Sequence, residues 1–129
     1  MEDGRIHDDQ LTASTAWNAA HGPANARLNL PARTNPFRVG AWCRDVSDSE
    51  PWIQVDLGVS VLVTGIVVQG RWDHTAQWSE TYSVQYSRDG HSWEFVKDHI
   101  NQDDGTVSMD NIKSYISLVS TFLQNYKSL

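Results

Sequence analysis

Apolar and polar positions alternate through Trp52-Ile-Gln-Val-Asp-Leu-Gly58, with Ile53, Val55 and Leu57 on one face and Trp52, Gln54 and Asp56 on the other. Period two over six residues predicts a β-strand that gives one face to a core, and Gly58 reads as its stop. Residues 61–69 are β-branched and nearly all apolar, which predicts a strand buried on both faces with Gly65 as a bulge. Tyr82, Val84 and Tyr86 alternate with Ser83, Gln85 and Ser87 in a further strand. Ser87-Arg-Asp-Gly90 then reads as a tight hairpin turn, and residues 93–96 as the returning partner. Residues 10–14 form a short strand upstream. Residues 15–27, 31–36 and 70–80 read as loops, marked by Gly22, Pro23, Pro31, Pro36 and Gly70. Asn101-Gln-Asp-Asp-Gly105 is a polar break. Beyond it the period changes. Ile112, Ile116, Val119, Leu123 and Tyr126 recur at three-and-four spacing, which predicts an amphipathic helix over about 109–127 capped by Ser108 or Asp110.

Composition narrows the class. The chain has 129 residues, 40% of them hydrophobic, and a mean hydropathy of −0.48, which suits one domain with one core. No apolar run approaches the roughly 20 residues of a membrane span. The first residues lack the basic-then-apolar order of a signal peptide. A net charge of −6 argues against nucleic acid as a partner, because phosphate neutralisation needs clustered Lys and Arg. It weighs less strongly against anionic lipid surfaces.

Enzyme chemistry finds no support in the motifs. His7, His21, His74, His91 and His99 have no metal-ligand spacing. No Gly-x-Ser-x-Gly elbow and no phosphate-binding Gly loop is present. Glu2, Asp3, Asp8 and Asp9, and the Asp103-Asp-Gly105 turn, read as solvated acidic turns; Ca²⁺ held by their oxygens is the lesser reading, and no other metal or cofactor is expected. Cys43 is the single cysteine. It is either a buried small hydrophobe or the partner of a thiol outside this chain.

Taken in order, these segments resemble the coagulation factor V/VIII type C, or discoidin, domain. Gly4-Arg-Ile6 with Gln10-Leu-Thr-Ala-Ser14 is similar to the family's opening, Ala26-Arg-Leu-Asn29 to its next strand and Gly40-Ala-Trp-Cys43 to its following turn. Trp52-Ile-Gln-Val-Asp-Leu-Gly58 resembles its most recognisable strand, Val63-Thr-Gly-Ile66 with Gln69-Gly-Arg71 the strand and loop after it, and residues 82–90 with Trp93 its hairpin. Seven such segments in order are specific where each alone is weak. The resemblance covers about residues 1–98. It implies an all-β, discoidin-like (galactose-binding-like) antiparallel jelly-roll sandwich that binds ligands through loops at one end and is no enzyme. The strands that the family has after this point do not show in residues 99–129. The expected organisation is therefore an incomplete, truncated sandwich over 1–98 and a divergent tail with the helix.

The resemblance implies that loops 16–25, 31–40 and 70–80 gather at one end. Trp17, Asn18 and His21 in the first, Phe37 and Arg38 in the second, and Arg71, Trp72, Asp73, His74, Gln77 and Trp78 in the third are the candidate ligand residues. A Trp face stacks on a sugar ring while Arg, Asp and Gln bond its hydroxyls, and the same side chains suit a protein hot spot. For Trp17, Trp72 and Trp78 the competing reading is a plug at the end of the core. Phe37 reads equally as an exposed wedge or a plug. Trp42, Trp52, Asp56 and Trp93 read as scaffold, with Asp56 and Arg71 as a candidate structural ion pair. The expected function is an extracellular or cell-surface recognition module, part of a larger protein, that binds a glycan or an extracellular protein such as collagen or a receptor. Phospholipid head groups are the less favoured ligand, and a fragment that needs a partner to complete its sheet is the alternative.

Overall fold

The computed structural model describes residues 5–71, 77–79, 81–96, 100–101 and 106–119; within 100–119, Tyr115 is the one side chain described. The fold is all-β. Its strands are β1 (Leu11–Ala13), β2 (Arg33–Thr34), β3 (Phe37–Arg38), β4 (Trp52–Val67), β5 (Ser83–Ser87), β6 (Glu94–Phe95), β7 (Ile100–Asn101) and β8 (Thr106–Val119). Six of them form one antiparallel sheet in the order β1-β4-β8-β5-β6, with β7 on β8, while β2 and β3 make a separate two-stranded hairpin.

The period-two segment at Trp52 begins β4, where Ile53 is buried and pairs with Ala13 of β1. Gly58 does not end the strand. The register shifts between Asp56 and Val61, Gly58 takes φ +73, and the strand continues to Val67. A positive φ suits glycine, and the Asp56 carboxylate fixes the bulge by accepting from the Gly58 amide at 2.7 Å. The second half of β4 is not buried on both faces: Leu62 is 59% exposed, as are Val59 and Val67 to a similar degree. An apolar run alone cannot tell a strand covered on both sides from one covered on one.

The largest departure is the tail. Residues 106–119 are a strand, so the helix expected over 109–127 is replaced through Val119, and its remainder lies outside the described residues. The cause is position. β8 runs between β4 and β5, where Ile116 faces Val55 on one side and Tyr86 on the other. A helix there would leave the facing edges of β4 and β5 without ladder partners. Thr106, Val107, Ile112, Tyr115, Ile116 and Val119 also suit a strand, because β-branched and aromatic residues fit a pleated surface. A long strand therefore does follow Asp98.

Leu11, Val39, Cys43, Ile53 and Val84 are the buried apolar residues, each contributing about 2 kcal/mol by removal from water. Leu57, Val63, Ile66, Tyr82 and Val96 pack on Val84.

The β5–β6 connection is organised by one carboxylate. Asp89 Oδ1 accepts from the His91 and Ser92 amides, both at 2.8 Å, and from the Ser87 hydroxyl at 2.9 Å. Ser87 is buried, and its Oγ accepts in turn from the Asp89 and Gly90 amides. Gly90 takes φ +75 with the Tyr115 ring against it, and Tyr115 meets Trp93 edge-on at 6.4 Å. The amide bonds hold the Asp89 carboxyl well below its ordinary value of 3.8. Hydroxyl and amide bonds likewise lower Asp48 and Asp45. Groups depressed in the folded state add stability that is complete above the ordinary carboxylate range and is lost as pH falls through and below about 4. Thermal melts across pH 7 to 2.5 should show this acid loss, and Asp89→Asn should flatten it. A pH profile identical to that of the unaltered chain would refute the role of Asp89.

Candidate functional site

The loops are tied to one another at their bases. In the first, Asn18 Oδ1 accepts from the Ala20 amide at 2.9 Å and caps a short 3-10 turn, Ala19–His21. The Val39 amide donates to Ala20 O and the Cys43 amide to His21 O, which fastens the second loop to the first. The segments that lead into the second and third loops are joined just before them: the Asn29 amide donates to Gln69 Oε1 at 2.8 Å. The third is closed by reciprocal backbone bonds between Arg71 and Gln77, reinforced by Arg71 Nη1 donating to Gln77 Oε1 at 3.1 Å.

Their candidate residues fall into distinct groups. Trp17 is 49% exposed, Phe37 63% and Trp78 57%. These three are open aromatics, not plugs. His21 is buried, its Nδ1 2.7 Å from Asn18 Oδ1 and its ring 4.9 Å from that of Trp17, so it supports the loop from within. Asn18 likewise serves the turn. Arg71 and Gln77 hold the neck of the third loop. Trp72, Asp73 and His74 lie outside the described residues. The candidate Asp56–Arg71 ion pair is absent among the described residues: Asp56 bonds Gly58 and Arg71 bonds Gln77. Trp42 is scaffold, with Nε1 donating to Thr15 O at 2.8 Å. Trp52 and Trp93 are half-buried, Trp52 with its amide on Ser14 Oγ.

Between the second and third loops lies a cavity of about 420 Å³, lined mostly by apolar groups including Leu28, Leu30, Trp42, Ile53, Val68 and Tyr82.

Two features escaped the sequence. Asp48 accepts from both Ser14 Oγ and Thr15 Oγ1 at 2.6 Å, locking the end of β1 to the segment before β4. Arg44 Nη1 donates to the carbonyls of Asp45, Val46 and Asp48, closing that segment on a single guanidinium. Both join residues by chain folding, which no local pattern announces. A third was countable. Residues 10–44 contain Arg27, Arg33, Arg38 and Arg44 and no carboxylate, within a chain of net charge −6. The first two loops come from this stretch. Among the described residues no group of three or more His, Cys, Asp or Glu could hold a metal ion.

The all-β antiparallel fold is that of the discoidin, galactose-binding-like sandwiches. Recombinant discoidin II of Dictyostelium discoideum superposes with a TM-score of 0.68 at 25% identity, over 85% of this chain and 48% of that one. A family 32 carbohydrate-binding module of Clostridium perfringens, solved with GalNAc-β-1,3-galactose, gives 0.63 at 16% identity, over 94% of this chain and 87% of that one. Mouse coagulation factor VIII is 39% identical over 97 residues, 72% of this chain and 4% of factor VIII, so the chain spans a small part of that relative. The F5/8 type C domain profile matches residues 10–125, past the point where the sequence resemblance ends. The chain belongs to the F5/8 type C domain family, whose domains are typically non-catalytic binding modules.

Proposed function

We propose that this domain is an extracellular recognition module that binds a glycan or an extracellular protein through the three loops at one end. The observation that carries the reading is the exposure of Trp17, Phe37 and Trp78 on loops whose bases are hydrogen-bonded, the first to the second and the third across its own neck. Large exposed apolar groups lower solubility unless a ligand covers them, and a rigid base keeps the ordering cost of binding small. An indole or phenyl face covers the C–H face of a sugar or seats in a protein pocket, and Gln77 adds planar hydrogen-bonding groups beside Trp78.

A glycan array followed by titration tests it. Trp78→Ala and Phe37→Ala should each weaken the best ligand about tenfold or more while leaving the melt intact. Binding indifferent to both changes would count against the loop end. A phospholipid head group is the second reading, favoured by exposed Phe37 beside Arg38. Vesicles with and without phosphatidylserine decide between them.

A further inference from the structure

We propose that the β2–β3 hairpin holds an anion subsite in which Arg33 and Arg38 clamp a sulfate ester carried on a glycan. This deepens the reading of the loop end as a ligand surface and rests on it. Arg33 and Arg38 are direct cross-strand partners, as are Thr34 and Phe37. Directly opposed residues share one face of a strand pair with Cβ atoms about 5 Å apart, and like charges so placed repel. A protein that tolerates such a pair does so at a cost.

Neither charge is compensated by a described residue. Among the described residues no carboxylate contacts either guanidinium. Arg38 Nη2 donates to Pro31 O at 2.9 Å and Arg33 Nε reaches Pro36 O at 3.4 Å, so both side chains are oriented by backbone carbonyls. Arg38 Nε is buried without a hydrogen-bond partner. The other two arginines of the carboxylate-free stretch have carboxylates near them: Arg27 pairs with Asp8 at 2.5 Å, and Arg44 lies within electrostatic reach of Asp45 and Asp48. The surplus of positive charge on residues 10–44 therefore concentrates on this one face.

Two guanidinium groups on one face fit a tetrahedral oxyanion, with Arg33 exposed and Arg38, its Nε buried and Nη2 on Pro31 O, adding its remaining N–H donors. Each presents planar N–H donors, and the anion's charge removes the repulsion between them. The hairpin geometry favours a discrete anion over a flat anionic surface. Phe37 belongs to the other cross-strand pair and so to the opposite face of the hairpin. A membrane that takes up Phe37 would meet the arginines from behind, whereas a sulfated sugar can reach their face alone.

The test titrates the full chain with a sulfated glycosaminoglycan hexasaccharide, the same hexasaccharide chemically desulfated, and phosphatidylserine vesicles. The sulfated sugar should bind at least about tenfold tighter than the desulfated one, with affinity falling steeply as salt rises. Arg38→Gln should remove most of that preference. Arg33→Glu should abolish it while raising the melting temperature, because it turns a repulsive cross-strand pair into an attractive one; a structural role alone would not separate the two readouts. Equal affinity for both sugars, or a preference that survives both substitutions, overturns the subsite. If Trp78→Ala still weakens glycan binding in that case, the loop-end reading stands and only the arginine clamp fails. Binding to the vesicles with none to the sulfated sugar overturns the subsite in favour of lipid. Binding to no probe overturns the subsite and the glycan reading together.

Discussion

Gly40→Ala is expected to lower the melting temperature by about 10 °C, a loss of about 3 kcal/mol for a domain of this size. A Cβ at position 40 would lie 2.2 Å from the carbonyl oxygen of Leu30 and 3.4 Å from the Ala32 nitrogen. Both are backbone atoms, so no side-chain rotation relieves the overlap. The second loop would have to move away from the Gly40-Ala-Trp-Cys43 turn, taking with it the wall of the cavity and the Asn29–Gln69 link. Binding at the loop end should fall with stability. Gly22→Ala is the control. There φ is −69 and the nearest atom, Ala19 O, is at an ordinary 3.6 Å, so the change should be neutral or slightly stabilising by restricting the unfolded chain. Melts of the two variants side by side check the argument, and a Gly40→Ala protein as stable as Gly22→Ala would defeat it.

Ile116→Pro should abolish cooperative folding. Residue 116 pairs with Val55 of β4 and Tyr86 of β5, so β8 is internal to the sheet. Proline removes a ladder N–H and puts its ring where the neighbouring strand runs, at a cost of about 3 kcal/mol or more, comparable to a large part of a small domain's stability. Denaturant titration followed by tryptophan fluorescence would read it, since Trp52 begins β4 and Trp93 packs on Tyr115. Thr106→Pro, at the first residue of β8, should cost less because strand starts tolerate proline. Equal stability of both variants would mean that β8 does not join β4 to β5.

The parts of the fold read correctly from sequence are those whose pattern is local and whose surroundings are one-sided. β5 and the first half of β4 show clean alternation, and Gly90 sits where a left-handed residue was needed. β8 departs from its local pattern: Ile112, Ile116 and Val119 recur at a helical spacing, and the strand is set by pairing with β4 and β5, which are distant in sequence. Gly58 was misread for a related reason: a glycine with positive φ makes a bulge as readily as an end, and the strand's continuation depends on a partner distant in sequence. At the loop end, residue type pointed to the aromatic candidates, and exposure then separated Trp17, Phe37 and Trp78 from buried His21. Nothing in the sequence of Val39 marks it as core. It is buried because its amide is drawn to Ala20 and the hairpin folds back over the first loop.

The burial of Cys43 gives the molecule an internal clock. Its sulfur is the single thiol of the chain, it is 3% exposed, and its backbone bonds Trp17 on one side and His21 on the other. A reagent can reach it when the Gly40-Ala-Trp-Cys43 turn parts from the first loop. The rate of thiol modification therefore reports how often that parting occurs, and a ligand that holds the first loop in place slows the clock in proportion to its occupancy.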